Sequence, residues 1–232
     1  MGLPTNATNK VILTTYCAAI FTSKLYRCVE LIILSIVIPC GILFFNLSAF
    51  VLPFLWAISF YCLLIFYLYE RRGENSNGLG RGINKKIVFI IVFRWLLISF
   101  GLLIFTFYIF PEKLFIVQAT NPGFIWKILV FYPLFSAFPQ EFIFCKFFFA
   151  RYKLFFGEKA LMVTMSALAF CLAHILFINW VAPVLGLFGG IIFARTYKKT
   201  KSLLMVSIEH SLYGNALFVL GLGWFFWGGS VG

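Results

Sequence analysis

Residues 31–69 read LIILSIVIPCGILFFNLSAFVLPFLWAISFYCLLIFYLY, and none of them is charged. A membrane-spanning helix needs about 20 consecutive apolar residues at ~1.5 Å rise each, so this stretch is long enough for two spans. Asn46 and Pro53 mark the division. A second stretch, Ala160 to Ala194, contains no Asp, Glu, Lys or Arg and offers two more spans, divided by Asn179, Trp180 and Pro183. A soluble protein would have to bury both runs with too little polar surface left to cover them. The whole chain agrees: 62% of its 232 residues are hydrophobic and 11% charged, against roughly 25% charged in soluble domains. The expected fold class is an all-α, polytopic transmembrane helical bundle.

Extending the reading outward gives seven candidate spans, at 31–48, 50–69, 87–110, 123–145, 160–178, 180–197 and 202–227. The longest polar connection is Arg71–Lys86. Residues 1–30 read as an N-terminal amphipathic lead-in, 31–110 as N-terminal transmembrane helices and 111–232 as the functional transmembrane core. There is no internal repeat or low-complexity tract. The six cysteines (17, 28, 40, 62, 145 and 171) lack C-x-x-C spacing and read as small buried hydrophobes.

Charge gives an independent test. The chain has 19 Lys plus Arg against 7 acidic residues, all glutamate. Basic residues gather before 28, in 71–86, in 146–159 and in 195–201, whereas the connections near 48, 112–122 and 179 hold almost none. Excess Lys and Arg marks cytoplasmic loops, so the strict alternation fits seven spans with the N-terminus cytoplasmic and the C-terminus external. The positive balance is therefore a topology signal, and nucleic acid is not an expected partner.

Few ionisable groups remain inside the spans: Arg94, Lys127, Glu141, His174, Glu209 and His210. Such groups cost about 2.5–3.5 kcal/mol to insert and usually face the bundle interior, where they act. His174 and His210 are the only histidines, and with Glu141 they lie on three separate spans. A buried carboxylate can serve as general base, a histidine can polarise water, and a second histidine with an amide or hydroxyl can stabilise an oxyanion. That set suits peptide-bond hydrolysis. The same side chains could ligate zinc, although their wide spacing supports a metal only weakly, and they could also form a proton relay.

Three motifs then resemble one family. Pro139-Gln140-Glu141-Phe142-Ile143-Phe144-Cys145 is similar to the first motif of the CPBP, or ABI, family of CAAX prenyl-protease-like intramembrane endopeptidases: two glutamates, three residues, then arginine. Phe170 to His174 matches its Phe-x-x-x-His. His210 opens its His-x-x-x-Asn/Asp, with the amide displaced to Asn215. The resemblance covers about 120–225. It implies an intramembrane protease acting on a membrane-tethered or lipidated polypeptide, such as a CAAX-like or C-terminally anchored one. It implies Glu141, His174, His210 and Asn215 as catalytic residues, with Gln140, Phe170 and Ser211 beside the substrate. The family, formerly called metalloproteases, is better described as glutamic, so no cofactor is expected. The bacterial subgroup it resembles points to an integral protein of the bacterial cytoplasmic (inner) membrane, in contact with lipid.

Three departures qualify the resemblance. Gln140 replaces the first glutamate, Cys145 replaces the arginine, and Gly214 holds the place of the third-motif amide. They leave an inactive enzyme as an alternative. Two further alternatives are a non-catalytic member that binds a membrane substrate or confers bacteriocin immunity, and a small proton-coupled transporter. Of the other intramembrane charges, Arg94 is expected to snorkel toward the interface, and Glu209 either to orient a ligand network beside His210 or to pair with Lys201 or Lys127.

Overall fold

A computed structural model describes residues 19–71 and 85–227. Most of the expected lead-in, most of the Arg71–Lys86 loop and the last five residues lie outside the described residues. Seven long helices follow among these residues, α1 (Lys24–Phe44), α2 (Ser48–Glu70), α3 (Lys85–Ile109), α4 (Pro122–Arg151), α5 (Ala160–Phe177), α6 (Val181–Thr200) and α7 (Leu203–Val219), with short helices at Ile116–Thr120 and Lys153–Phe156 between them. There is no strand among the described residues. In a bilayer every backbone N–H and C=O must be satisfied within the chain, and such apolar runs achieve this as helices. Helices α1 to α5 are long and apolar enough to cross a membrane, and α7 is a shorter apolar helix. Helix α6 carries Lys198 and Lys199 in its last turn.

The ends of the helices depart from the expected spans for local reasons. Helix α1 starts earlier, at Lys24, because the Ser23 hydroxyl accepts the Tyr26 N–H at 3.2 Å. The expected span 202–227 ends at Val219. Gly221 then adopts φ +88°, and a Cβ there would meet the Lys113 carbonyl oxygen at 1.8 Å, so the chain turns back into the short 3₁₀ segment Leu222–Phe226. The Asn179 side chain fastens this return. Its Oδ1 accepts from the Ala182 N–H, and its Nδ2 donates to the Phe225 carbonyl, each at 2.8 Å.

The core sits among α4 to α7 together with Cys62, Ile65 and Phe66 of α2, whereas α3 exposes Phe89, Phe93, Leu96, Leu97, Phe100 and Phe107, as a lipid-facing helix does. Helix α6 lies along α5. Gly190 allows the approach, since a Cβ there would come within 3.0 Å of the Ala167 Cα. Cys62 and Cys145 are buried as expected, but Cys28 and Cys40 are exposed on α1. The N-terminal half is joined to the core by a buried ionic cluster. Arg151 at the end of α4 donates to Glu30 (2.7 Å) and Glu70 (2.9 Å), Arg27 pairs with Glu70 at 2.9 Å, and Tyr61 and Tyr152 donate to Glu30.

Candidate active site

The site begins with two prolines in α4. Proline has no N–H for the carbonyl four residues earlier. The Leu129 carbonyl, four before Pro133, accepts from Asn215 Nδ2 of α7 at 3.1 Å, and the Phe135 carbonyl, four before Pro139, accepts from Trp56 Nε1 of α2 at 3.1 Å. Around these points α4 widens into π-helical turns at Pro133–Ala137 and Phe142–Phe147, a geometry frequent at functional sites. The resulting helix places Tyr132, Ser136 and Gln140, each four residues apart, along one face, with Gln140 Nε2 donating to Ser136 Oγ at 2.8 Å. Glu141, about 100° round the helix from Gln140, points toward α7.

There Glu141 Oε1 lies 2.7 Å from His210 Nδ1, both residues buried. An ionised carboxylate only accepts, so Nδ1 carries the hydrogen. The other ring nitrogen, Nε2, is 2.9 Å from the Tyr132 hydroxyl. It accepts from that hydroxyl when the ring is neutral and donates to it when the ring is charged. His174 is fixed differently. Its Nδ1 lies 2.7 Å from the Phe170 carbonyl, which can only accept, so in the neutral ring Nε2 keeps its lone pair. The Phe170 ring contacts both imidazoles, with centroids 4.5 Å from His174 and 5.5 Å from His210. Behind His174 lies Gly186, where a Cβ would come within 3.1 Å of the ring.

Two apolar cavities meet here. The larger, about 770 Å³, runs between α1, α2, α4 and the end of α5, and the smaller, about 400 Å³, lies between α4 to α7 and is also lined from α3. Tyr132, Ser136, Gln140 and His174 line both. His210 and Phe170 line the smaller. Glu141 lines neither and reaches the cavities through His210.

The structure thus brings Glu141, His174, His210, Gln140 and Phe170 together. It places the other two expected residues elsewhere. Asn215 is spent on the Leu129 carbonyl, and Ser211 Oγ donates to the Ser207 carbonyl at 2.7 Å within its own helix. Arg94 does not snorkel away: its guanidinium bonds the Glu209 carboxylate and Thr196 Oγ1, so Glu209 pairs with Arg94 and not with Lys201 or Lys127. Cys145, in the arginine position, is buried close to the Glu141 carboxyl. Among the described residues no three His, Cys, Asp or Glu side chains gather in a metal-binding group. The participant that sequence reasoning missed is Tyr132.

The trio of motifs occurs in order on α4, α5 and α7, with their polar groups facing one another. Residues 121–217 match the family model of type II CAAX prenyl endopeptidases, Rce1-like. The Rce1-like segment runs from the start of α4 into α7, and it contains Tyr132, Ser136, Gln140, Glu141, Phe170, His174 and His210. The resemblance read from the three motifs is thereby borne out. No curated protein and no solved structure matches the chain.

Proposed function

We propose that the protein is an intramembrane endopeptidase that hydrolyses a peptide bond of a membrane-tethered or lipidated polypeptide, of the CAAX-like or C-terminally anchored kind. The observation that carries this is the placement of His174 at the junction of two largely apolar cavities, with the Glu141-bound His210 lining the smaller of them, inside an Rce1-like helical core. Apolar walls suit a lipid-borne substrate, and the few convergent polar groups suit the chemistry.

His174 Nε2, with its lone pair toward the cavity, takes a proton from water as the oxygen attacks the scissile carbonyl. The C–N bond then breaks, and the proton held on His174 passes to the leaving amine. Glu141, expected from the motif to be the base, works in this geometry by orienting His210 and balancing positive charge on its ring. The charge pattern supports placing the loops around 71–86 and 195–201 in the cytoplasm, and the bacterial subgroup that the motifs resemble supports an inner-membrane location.

The test uses the purified protein in nanodiscs with internally quenched peptides carrying a C-terminal prenyl group or membrane anchor. Wild type should cleave, and His174→Ala should lose turnover while retaining its fold. Equal cleavage by His174→Ala would exclude the mechanism. Gln140 and Cys145, where the family carries Glu and Arg, favour a second reading as a non-catalytic binder. Binding of the same peptides by wild type without cleavage would establish that one.

A further inference from the structure

We propose that the Tyr132 hydroxyl is the oxyanion donor of this site and takes the place of the third-motif amide, with Gly214 as its steric complement. The donor role rests on the protease reading above. The pairing of the two residues does not.

Four observations lead there. The family motif asks for an amide four residues after His210, and position 214 is glycine. The nearby alternatives on α7 are engaged with backbone carbonyls: Asn215 with Leu129 and Ser211 with Ser207. A Cβ built on Gly214 would lie 2.1 Å from Tyr132 Cε1 and 2.3 Å from both Cζ and the hydroxyl oxygen. The end of the Tyr132 ring therefore stands where a side chain from 214 would begin. The same hydroxyl is 2.9 Å from His210 Nε2, and Tyr132 lines both cavities. Phe218 holds the ring edge-on at a centroid distance of 5.3 Å.

Hydrogen bonding then sets the direction of the donor. With Glu141 ionised and His210 charged, Nδ1–H donates to the carboxylate and Nε2–H donates to the phenol oxygen. The phenol proton is left to point into the cavity, toward a developing oxyanion. No proton leaves Tyr132 during the reaction. Water gives one to His174, the carbonyl oxygen gains negative charge and accepts the phenol hydrogen bond, and the leaving amine receives the proton from His174. With the ring in that state, charge on the oxyanion is met by a dipole whose far end is anchored on His210 and, through it, on the Glu141 carboxylate.

A swap of the pair tests this, read by turnover and separately by stability. Tyr132→Phe should lower kcat by about 10²–10³ with KM nearly unchanged, as loss of one oxyanion donor does. Gly214→Asn alone should lose both activity and stability, because the tyrosine occupies the space. Tyr132→Ala with Gly214→Asn opens that space for the motif's amide, and should exceed the kcat of Tyr132→Ala by at least tenfold. Wild-type kcat in Tyr132→Phe, beside an inactive His174→Ala, overturns the donor role and leaves the protease reading standing. A wild type that cleaves nothing overturns the protease reading and the donor role together. The unfolding cycle over positions 132 and 214 still decides the pairing, which falls if Gly214→Asn is equally destabilising with tyrosine or alanine at 132.

Discussion

Replacing Arg151 by methionine keeps most of the side-chain volume and removes the charge on which the N-terminal half is docked. Arg151 is completely buried, and its guanidinium meets Glu30 through Nε and Nη2, Glu70 through Nη1, and the Phe21 carbonyl through Nη2. Removing one partner of a buried ion pair costs about 3–5 kcal/mol, mostly from the charge left behind. Two features hold this case near the lower bound. Tyr61 and Tyr152 still donate to Glu30, and Arg27 still pairs with Glu70. The expected loss is about 3 kcal/mol, roughly a 150-fold shift in the unfolding equilibrium. Reversible unfolding in mixed micelles of rising SDS content, followed by tryptophan fluorescence, would measure it. Arg151→Met with Glu30→Gln removes the stranded charge and should recover more than about 1 kcal/mol of the loss. Lys153→Met is the control, because the Lys153–Glu158 pair is exposed on both sides and such pairs are worth about 0.2–1 kcal/mol. An Arg151→Met protein within 1 kcal/mol of wild type would refute the claim that this cluster docks α1 and α2 onto α4.

Three other outcomes follow from the site and its setting. Glu141→Gln should cut kcat by about 10²–10⁴, whereas Gln140→Glu, which restores the family motif, should keep or raise activity; wild-type turnover in Glu141→Gln would make that carboxylate merely structural. Gly186→Ala places a methyl 3.1 Å from the His174 ring. It should lower kcat about tenfold through the displaced imidazole while stability holds, since alanine gains about 1 kcal/mol of helix propensity; an unchanged kcat would show that Gly186 does not position the ring. A reporter fused after Lys86 or Lys199 should read cytoplasmic, and one at Gly232 external; a cytoplasmic C-terminus would exclude an odd number of spans.

The helical class and the approximate course of the helices were legible because apolar runs of bilayer length have few alternatives, whereas the ends of α1 and α7 were set by a cap and a turn that the runs do not show. Glu141, His174 and His210 stood out for the same reason, being polar groups in segments that otherwise exclude them. Less legible was anything that depends on how two helices face each other. Tyr132 lies in Phe131-Tyr132-Pro133 and looks like one aromatic among many. Its only signal is Gly214 where the motif asks for an amide, and the meaning of that glycine appears only when α4 and α7 are side by side. Arg151 read as one more basic residue of a cytoplasmic loop, because its partners Glu30 and Glu70 are far away in sequence. Asn215 read as catalytic because nothing in a linear motif shows that Pro133 has left a carbonyl in need of a donor. Arg94 and Glu209 were each visible as intramembrane charges, but their pairing required the crossing of α3 and α7.

The bond between Glu141 and His210 also sets when during synthesis this chain gains its site. The two residues are 69 positions apart, and Tyr132 and His210 are 78 apart. At the usual 5–20 residues per second of translation, roughly 3–16 s pass between emergence of the first partner and the last. Throughout that interval α4 carries a glutamate with no histidine to orient and a tyrosine with no imidazole to meet. On the protease reading proposed above, hydrolytic competence waits until α7 docks, so a chain still passing through the insertion machinery holds no finished blade against the unfolded segments beside it.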